Sequence, residues 1–178
     1  MAASHPGERH TVDRKGPPVE KNALLADIAA CLMDHEVTFA LDGPWNSSMG
    51  PAVSRRTGAR AVEWDRADFV FVCGGTSLSR IGQARRGSLA YPDRGATVIY
   101  CLDESPRDDG SGLSCERVRL TGPGVERPLH PQVEGVTMDE YRLLGDMNRD
   151  YPLGVDAFVI KENRYIMGLP RSTHIEVN

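Results

Sequence analysis

The chain has 178 residues, 40% apolar and 26% charged, with a formal net charge of −4. That is enough chain for one domain with a real core, and no excess of positive charge argues for a protein that grips nucleic-acid phosphates, so no nucleic-acid partner is expected. The longest apolar runs, such as Phe69–Cys73 and Thr97–Leu102, are too short to span a membrane, and the polar start MAASHPGERHTVDRKGPP lacks the apolar stretch of a signal peptide, so no membrane contact and a cytoplasmic location are expected.

Residues 1–20 are polar and punctuated by Pro6, Gly7, Gly16, Pro17 and Pro18. They bury too little to fold alone and read as an arm or extended lead-in. Residues 21–178 read as a single α/β domain. Asn22 is the expected N-cap of an amphipathic helix to Glu36, with Leu24, Leu25, Ile28, Leu32 and Met33 on its apolar face. Val37–Leu41 alternates as a strand and stops at Asp42-Gly43-Pro44. Pro51–Gly58 reads as a short helix and Ala59–Trp64 as an extended run.

Asp68–Cys73 is a buried-strand pattern that runs into Gly74, Gly75, Thr76 and Ser77, with a helix expected over Ser79–Arg86. A strand, a glycine-rich turn and a helix start can cradle an anion on backbone N–H groups. Here neither GxGxxG nor GxxxxGK[ST] is present and no lysine is nearby, so the signal is weak and a plain tight turn before a capped helix is the simpler explanation. Arg85–Gly95 reads as a loop with a turn at Pro92–Gly95. Ala96–Leu102 is a second buried strand, Asp103–Ser114 a surface loop, and Glu116–Leu120 a strand expected to pair with the one before that loop. Thr137-x-x-Glu140 is a capping box that opens a helix with Met138, Tyr141, Leu144 and Met147 on one face.

The stretch from Asp150 onward holds two apolar runs, Val155–Ile160 and Tyr165–Leu169, around the polar turn 161–164. That predicts a hairpin inside a covered sheet, because the runs are apolar on both faces. Beyond Pro170 an extended tail would place Ile175 and Val177 on one side and His174 and Glu176 on the other. The tally is three or four helices and six or seven strands, an α/β three-layer sandwich with a mixed β-sheet.

The chemistry-bearing residues form no recognisable active site. Cys31, Cys73, Cys101 and Cys115 show no CxxC and no zinc-ligand spacing, and the first three sit in apolar runs as small buried hydrophobes. His174 and Glu176 offer two ligands on one strand face with no third in view, so no metal is expected. Only Lys15, Lys21 and Lys161 are lysines, two in or beside the polar arm and one at the hairpin turn. None suits a Schiff base, and no GxSxG elbow is present. The remaining cations are arginines, which favours planar ion-pair and interface roles, although a GC-rich genome gives the same bias. Arg171, Ser172 and Thr173 are placed to grip a phosphate or carboxylate, or to tie the tail to a neighbouring chain.

Several segments, in order, resemble one family. PLGVDAFVI followed by LPRSTHIEVN is similar to the C-terminal signature of the H subunit of carbon–phosphorus lyase (PhnH). Arg119–Val125 (RLTGPGV) resembles that family's R-L-x-G-P-G-I segment, Tyr91–Val98 its P-E-x-G-A-T-[LV] segment, and Asn22–Asp42 its Leu-rich helix and following strand. Family members begin with a helix that ends in M-[AS]-x-P-G. Ala3-Ser4-His5-Pro6-Gly7 occupies that phrase here without such a helix ahead of it, so dimer contacts of that helix are not carried over.

The resemblance implies a fold like the large domain of pyridoxal-phosphate-dependent transferases, without the cofactor. It implies a homodimer that joins the G, I and J subunits in the carbon–phosphorus lyase core complex of phosphonate catabolism. That complex joins methylphosphonate to the ribose of ATP, releasing adenine and forming ribose 1-methylphosphonate 5-triphosphate, ahead of radical cleavage of the C–P bond. It carries no catalytic residue onto this chain, which fits a structural subunit. Only ligand-or-interface positions transfer: Thr121, Gly122 and Gly124 in the turn, and Arg171, Thr173, His174 and Glu176 in the tail. The alternative is a stand-alone binding domain or enzyme for a phosphorylated ligand, with 74–77 or 121–124 as cradle and Arg171 as clamp.

Overall fold

Strands that are apolar on both faces need cover on both faces, and that requirement organises the chain. The computed structural model describes residues 5–11, 21–42, 44–72, 78–102, 118–131, 135–161 and 165–178. In chain order they form β1 (Arg9–Thr11), α1 (Lys21–Leu32), β2 (Thr38–Leu41), α2 (Pro44–Thr57), β3 (Arg60–Ala61), a 3-10 turn (Trp64–Arg66), β4 (Phe69–Val72) and a single helical turn α3 (Leu78–Ile81). Then follow β5 (Arg86–Ser88), β6 (Tyr91–Gly95), β7 (Thr97–Leu102), β8 (Val118–Thr121), α4 (Met138–Met147), β9 (Asp156–Lys161), β10 (Tyr165–Leu169) and β11 (His174–Val177).

Seven strands make one mixed sheet in the order β1-β10-β9-β7-β4-β2-β3. β3, β2, β4, β7 and β9 run parallel, and β10 runs antiparallel to both of its neighbours, β9 and β1. The two-residue side-chain period splits each strand between two cores. Val70, Val72, Val98, Tyr100, Ala157, Val159 and Met167 point to one face, under Tyr141, Leu144 and Met147 of α4 and Val118 and Leu120 of β8. Phe39, Leu41, Phe71, Ile99, Cys101 and Ile160 point to the other, under Leu25, Ala29 and Met33 of the α1 segment and Met49 and Val53 of α2. The result is an α/β protein with helices on both faces of a mixed sheet.

The expected hairpin is β9–β10, with Lys161 opposite Tyr165; residues 162–164 of its turn lie outside the described residues. The capping box is present. Thr137 Oγ1 accepts from the Glu140 N–H at 3.2 Å and Glu140 Oε2 accepts from the Thr137 N–H at 2.7 Å, an arrangement typically worth about 1 kcal/mol. Tyr141, Leu144 and Met147 are buried as their spacing requires. Helix α4 carries Gly145 where a Cβ would stand 2.9 Å from the Ile175 carbonyl, so the missing side chain lets β11 lie directly on the helix.

Other expectations are corrected. Asn22 lies inside α1, which already includes Lys21. Leu32 is 46% exposed, because the buried stripe follows Leu25, Ala29 and Met33. The helix expected over 51–58 begins at Pro44 and takes in Pro51. The helix expected over 79–86 is one turn, and Arg86 already belongs to β5. The loop 85–95 is a β-hairpin, β5–β6, so Pro92–Gly95 is strand and not turn. β8 does not pair with β7; it pairs with β11, because β7 is already flanked by β4 and β9. Cys101 is buried but Cys31 is exposed. Lys161 is only 5% exposed, as the last residue of an interior strand. Arg9–Thr11, within the stretch read as an arm or lead-in, adds the edge strand β1.

Candidate functional site

The two segments singled out by motif meet. β11 pairs with β8, with His174 opposite Thr121 and Glu176 opposite Arg119. Gly122 has φ +124°, and a Cβ on it would stand 2.7 Å from the Ser172 carbonyl, so glycine is required both by the backbone and by the approach of the tail. Gly124, with φ +80°, completes the turn.

The start of the tail looks inward. The Arg171 backbone N–H donates to Asp156 Oδ1 at 2.9 Å, and its guanidinium grips Asp156 Oδ2 through Nε (3.1 Å) and Nη2 (2.5 Å) while Nη1 donates to the Pro92 carbonyl (2.5 Å). A planar guanidinium, with donors on two of its edges at once, suits this task as an ammonium does not. Thr173 is 2% exposed, and its N–H closes a turn onto the Pro170 carbonyl at 2.8 Å. Ile175 rests on α4 at Gly145. Glu176 pairs with Arg119 at 2.8 Å on the surface. His174 faces solvent.

A second surface is the β5–β6 hairpin, which no motif marked as a site. It has almost no apolar burial of its own, so charge holds it in place. Arg85 bonds Asp68 and donates to the Arg94 carbonyl at 2.6 Å; Arg86 pairs with Asp150 at 3.0 Å. Arg171 reaches Pro92 from the far side. At Gly95 a Cβ would meet Arg171 Nη1 at 2.6 Å and the Gly154 carbonyl at 2.3 Å, so the hairpin sits flush against the loop before β9. That loop is closed by Asn148, whose side chain accepts from the Val155 N–H (2.8 Å) and donates to the Val155 carbonyl (3.1 Å).

Fixed this way, the hairpin turns Leu89 (80% exposed) and Tyr91 (54%) outward. Arg94 lies 4.5 Å over the Tyr91 ring. Beside it is an open cavity of about 460 Å³ lined by Pro92, Asp93, Tyr151, Pro170, Arg171 and Ser172, with Tyr151 63% exposed. Exposed aromatic and aliphatic side chains on a rigid frame suit a protein contact.

Two titratable groups stand out, and neither looks like a catalyst. Burial alone would raise the Asp68 carboxyl, but hydrogen bonds from the Thr38 hydroxyl (2.6 Å) and N–H (2.8 Å), together with Arg85, hold it below its ordinary value. Burial, then the Glu140 charge and Tyr141, push the fully buried Tyr100 phenol well above its ordinary value, so it stays protonated within the core. Gly74, Gly75, Thr76 and Ser77 lie outside the described residues. Among the described residues, three ligand-type side chains converge at His5, Glu8 and His10, not at His174 and Glu176. Sequence spacing missed that group because only the turn at 5–8 brings it together.

Comparison with known proteins accounts for the match between turn, tail and hairpin segments. The chain is 33% identical over 123 residues, 69% of its length, to "Putative C-P lyase subunit protein HtxG" of Stutzerimonas stutzeri, and spans only 58% of that relative. It is 26% identical over 163 residues, 90% of its length, to "Alpha-D-ribose 1-methylphosphonate 5-triphosphate synthase subunit PhnH" of Rhizobium meliloti (strain 1021), covering 77% of it. Residues 1–176 match the family described as "Bacterial phosphonate metabolism protein (PhnH)". With the match running from the first strand through the tail, the chain belongs to the PhnH family of bacterial phosphonate metabolism proteins.

Proposed function

We propose that this chain is a subunit of a carbon–phosphorus lyase complex, and that it supports formation of ribose 1-methylphosphonate 5-triphosphate from ATP and methylphosphonate as a brace rather than as a catalyst. The observation that carries the reading is the family match over residues 1–176, beside relatives named as a lyase subunit and as a subunit of that synthase. The geometry supports the bracing role. The tail and turn carried over from the family are engaged largely in holding the fold, and Arg171, the expected anion clamp, already bonds Asp156 and Pro92. A sheet covered on both faces, with one reversed strand near its edge, fits the cofactor-free relative of the pyridoxal-phosphate transferase large domain that the family resemblance implies. Partners on this reading are a second copy of the chain and the G, I and J subunits, in the cytoplasm. No helix among the described residues is long and apolar enough to cross a membrane.

Co-expression with those three subunits tests the proposal. The chain is expected to co-purify with them at fixed stoichiometry and to show no turnover of ATP and methylphosphonate alone. Leu89→Asp with Tyr91→Asp is expected to keep the thermal transition and weaken capture. A purified chain that captures none of the subunits, or that turns over ATP and methylphosphonate unaided, would overturn it.

A further inference from the structure

The N-terminal turn carries a group of side chains that the proposed function does not use. His5, Glu8 and His10 present ligand atoms that all lie within 4.8 Å of one another. The turn that gathers them is locally built. The Glu8 N–H donates to the His5 carbonyl at 3.2 Å, and the Gly7 N–H donates to the Gly168 carbonyl of β10 at 2.9 Å, which pins the turn to the sheet. His10 sits on β1 opposite Ile166, so one of the three ligands stands on a paired strand and two on the turn before it.

A second, independent observation concerns His10. Its Nε2 is out of solvent and has no hydrogen-bond partner. A buried ring nitrogen without a partner is costly and calls for an explanation. The His5 and His10 rings lie edge to face with centroids 6.3 Å apart, close enough to share an ion but not stacked to exclude one.

We propose that His5, Glu8 and His10 form a binding site for one divalent first-row transition ion of the zinc class. Two imidazoles and a carboxylate are the donor set such ions take, with bonds of about 2.0–2.2 Å. His5 and Glu8 are exposed on the turn, and His10 stands on its strand, with the three ligand atoms already within 4.8 Å of one another. Three protein ligands leave a coordination position for water or for a partner's side chain. The ion would tie the turn to a three-residue edge strand paired with β10. Hard ions such as Mg²⁺ prefer all-oxygen sites and are not expected here.

The test uses the full chain without an affinity tag, stripped with a chelator and titrated with ZnCl₂ by calorimetry and by metal analysis after desalting. One zinc per chain is expected, with no heat from MgCl₂. His5→Ala and Glu8→Gln, both at exposed positions that leave the core intact, are each expected to weaken zinc binding at least about tenfold, with the apo thermal transition unchanged. Binding is expected to weaken on acidification, because protons compete with the ion for its ligands. Absence of zinc binding by the stripped chain overturns the proposal. So does stoichiometric binding that both variants retain at full affinity, because the ion would then sit elsewhere.

Discussion

Among the described residues, two short antiparallel ribbons lie outside the main sheet, and they are held in opposite ways. β8–β11 is held by its core: Val118 and Leu120 are buried, and Ile175 and Val177 pack against the same cluster. β5–β6 buries almost nothing and is held by arginines, with Arg85 on Asp68, Arg86 on Asp150 and Arg171 reaching in from the tail. The ribbon that carries the expected site positions is held by packing, and the other offers the exposed apolar surface. Packing constrains a segment as readily as chemistry does.

The comparison is broken most easily at Leu120. It is fully buried, so Leu120→Ala is expected to cost about 3 kcal/mol in denaturant unfolding. Leu89→Ala at 80% exposure is expected to change stability by less than about 0.5 kcal/mol. Equal losses at the two positions would mean that the hairpin too is held by packing. Arg171 couples the ribbons, with its side chain 15% exposed. Arg171→Ala is expected to cost about 2 kcal/mol, and Arg171→Lys to recover little of it, since an ammonium cannot reproduce the fork onto Asp156 and the reach to Pro92. Full recovery by lysine would show that charge alone suffices there.

Asp68 gives the hairpin's anchor a pH signature. Its carboxyl lies below its ordinary value in the folded chain, so its contribution is complete above about pH 4 and is lost as pH falls through the lower folded value. Asp68→Asn is expected to flatten the acid end of the stability–pH curve while changing the slope at neutral pH little; an unchanged acid limb would remove Asp68 from the clamp. The smallest effect is expected at Arg119 and Glu176, an exposed pair whose side chains are 41% and 54% accessible. A double-mutant cycle should return at most about 0.5 kcal/mol of coupling. A larger value would make this ion pair, and not only the core, a support of β8–β11.

Legibility followed the range of the interaction. The capping box at Thr137 and Glu140 was plain, because its donors and acceptors lie three residues apart. The hairpin β9–β10 was plain because its two runs carry both-face burial in their composition. The partner of β8 was not, since Leu120 meets Ile175 across a separation that no local pattern encodes. The hairpin β5–β6 hid inside an apparent loop because arginines stabilise it where a pattern search expects apolar alternation. Among the site candidates, Thr121 and Gly122 stood beside the tail only as positions of one family signature, and nothing local foretold that β8 would pair with β11 or that Arg171 would be bonded to Asp156 and Pro92.

The sequence by itself determined the family, the α/β class, the covered strands and the capped helix, because each rests on periodicity, capping or an ordered set of motifs along the chain. Only the tertiary structure decided which ribbon is architecture and which is surface, and that His5, Glu8 and His10 converge. Those outcomes depend on what each side chain meets across the fold, and burial and ion pairing between distant segments are set only once the sheet has closed around them.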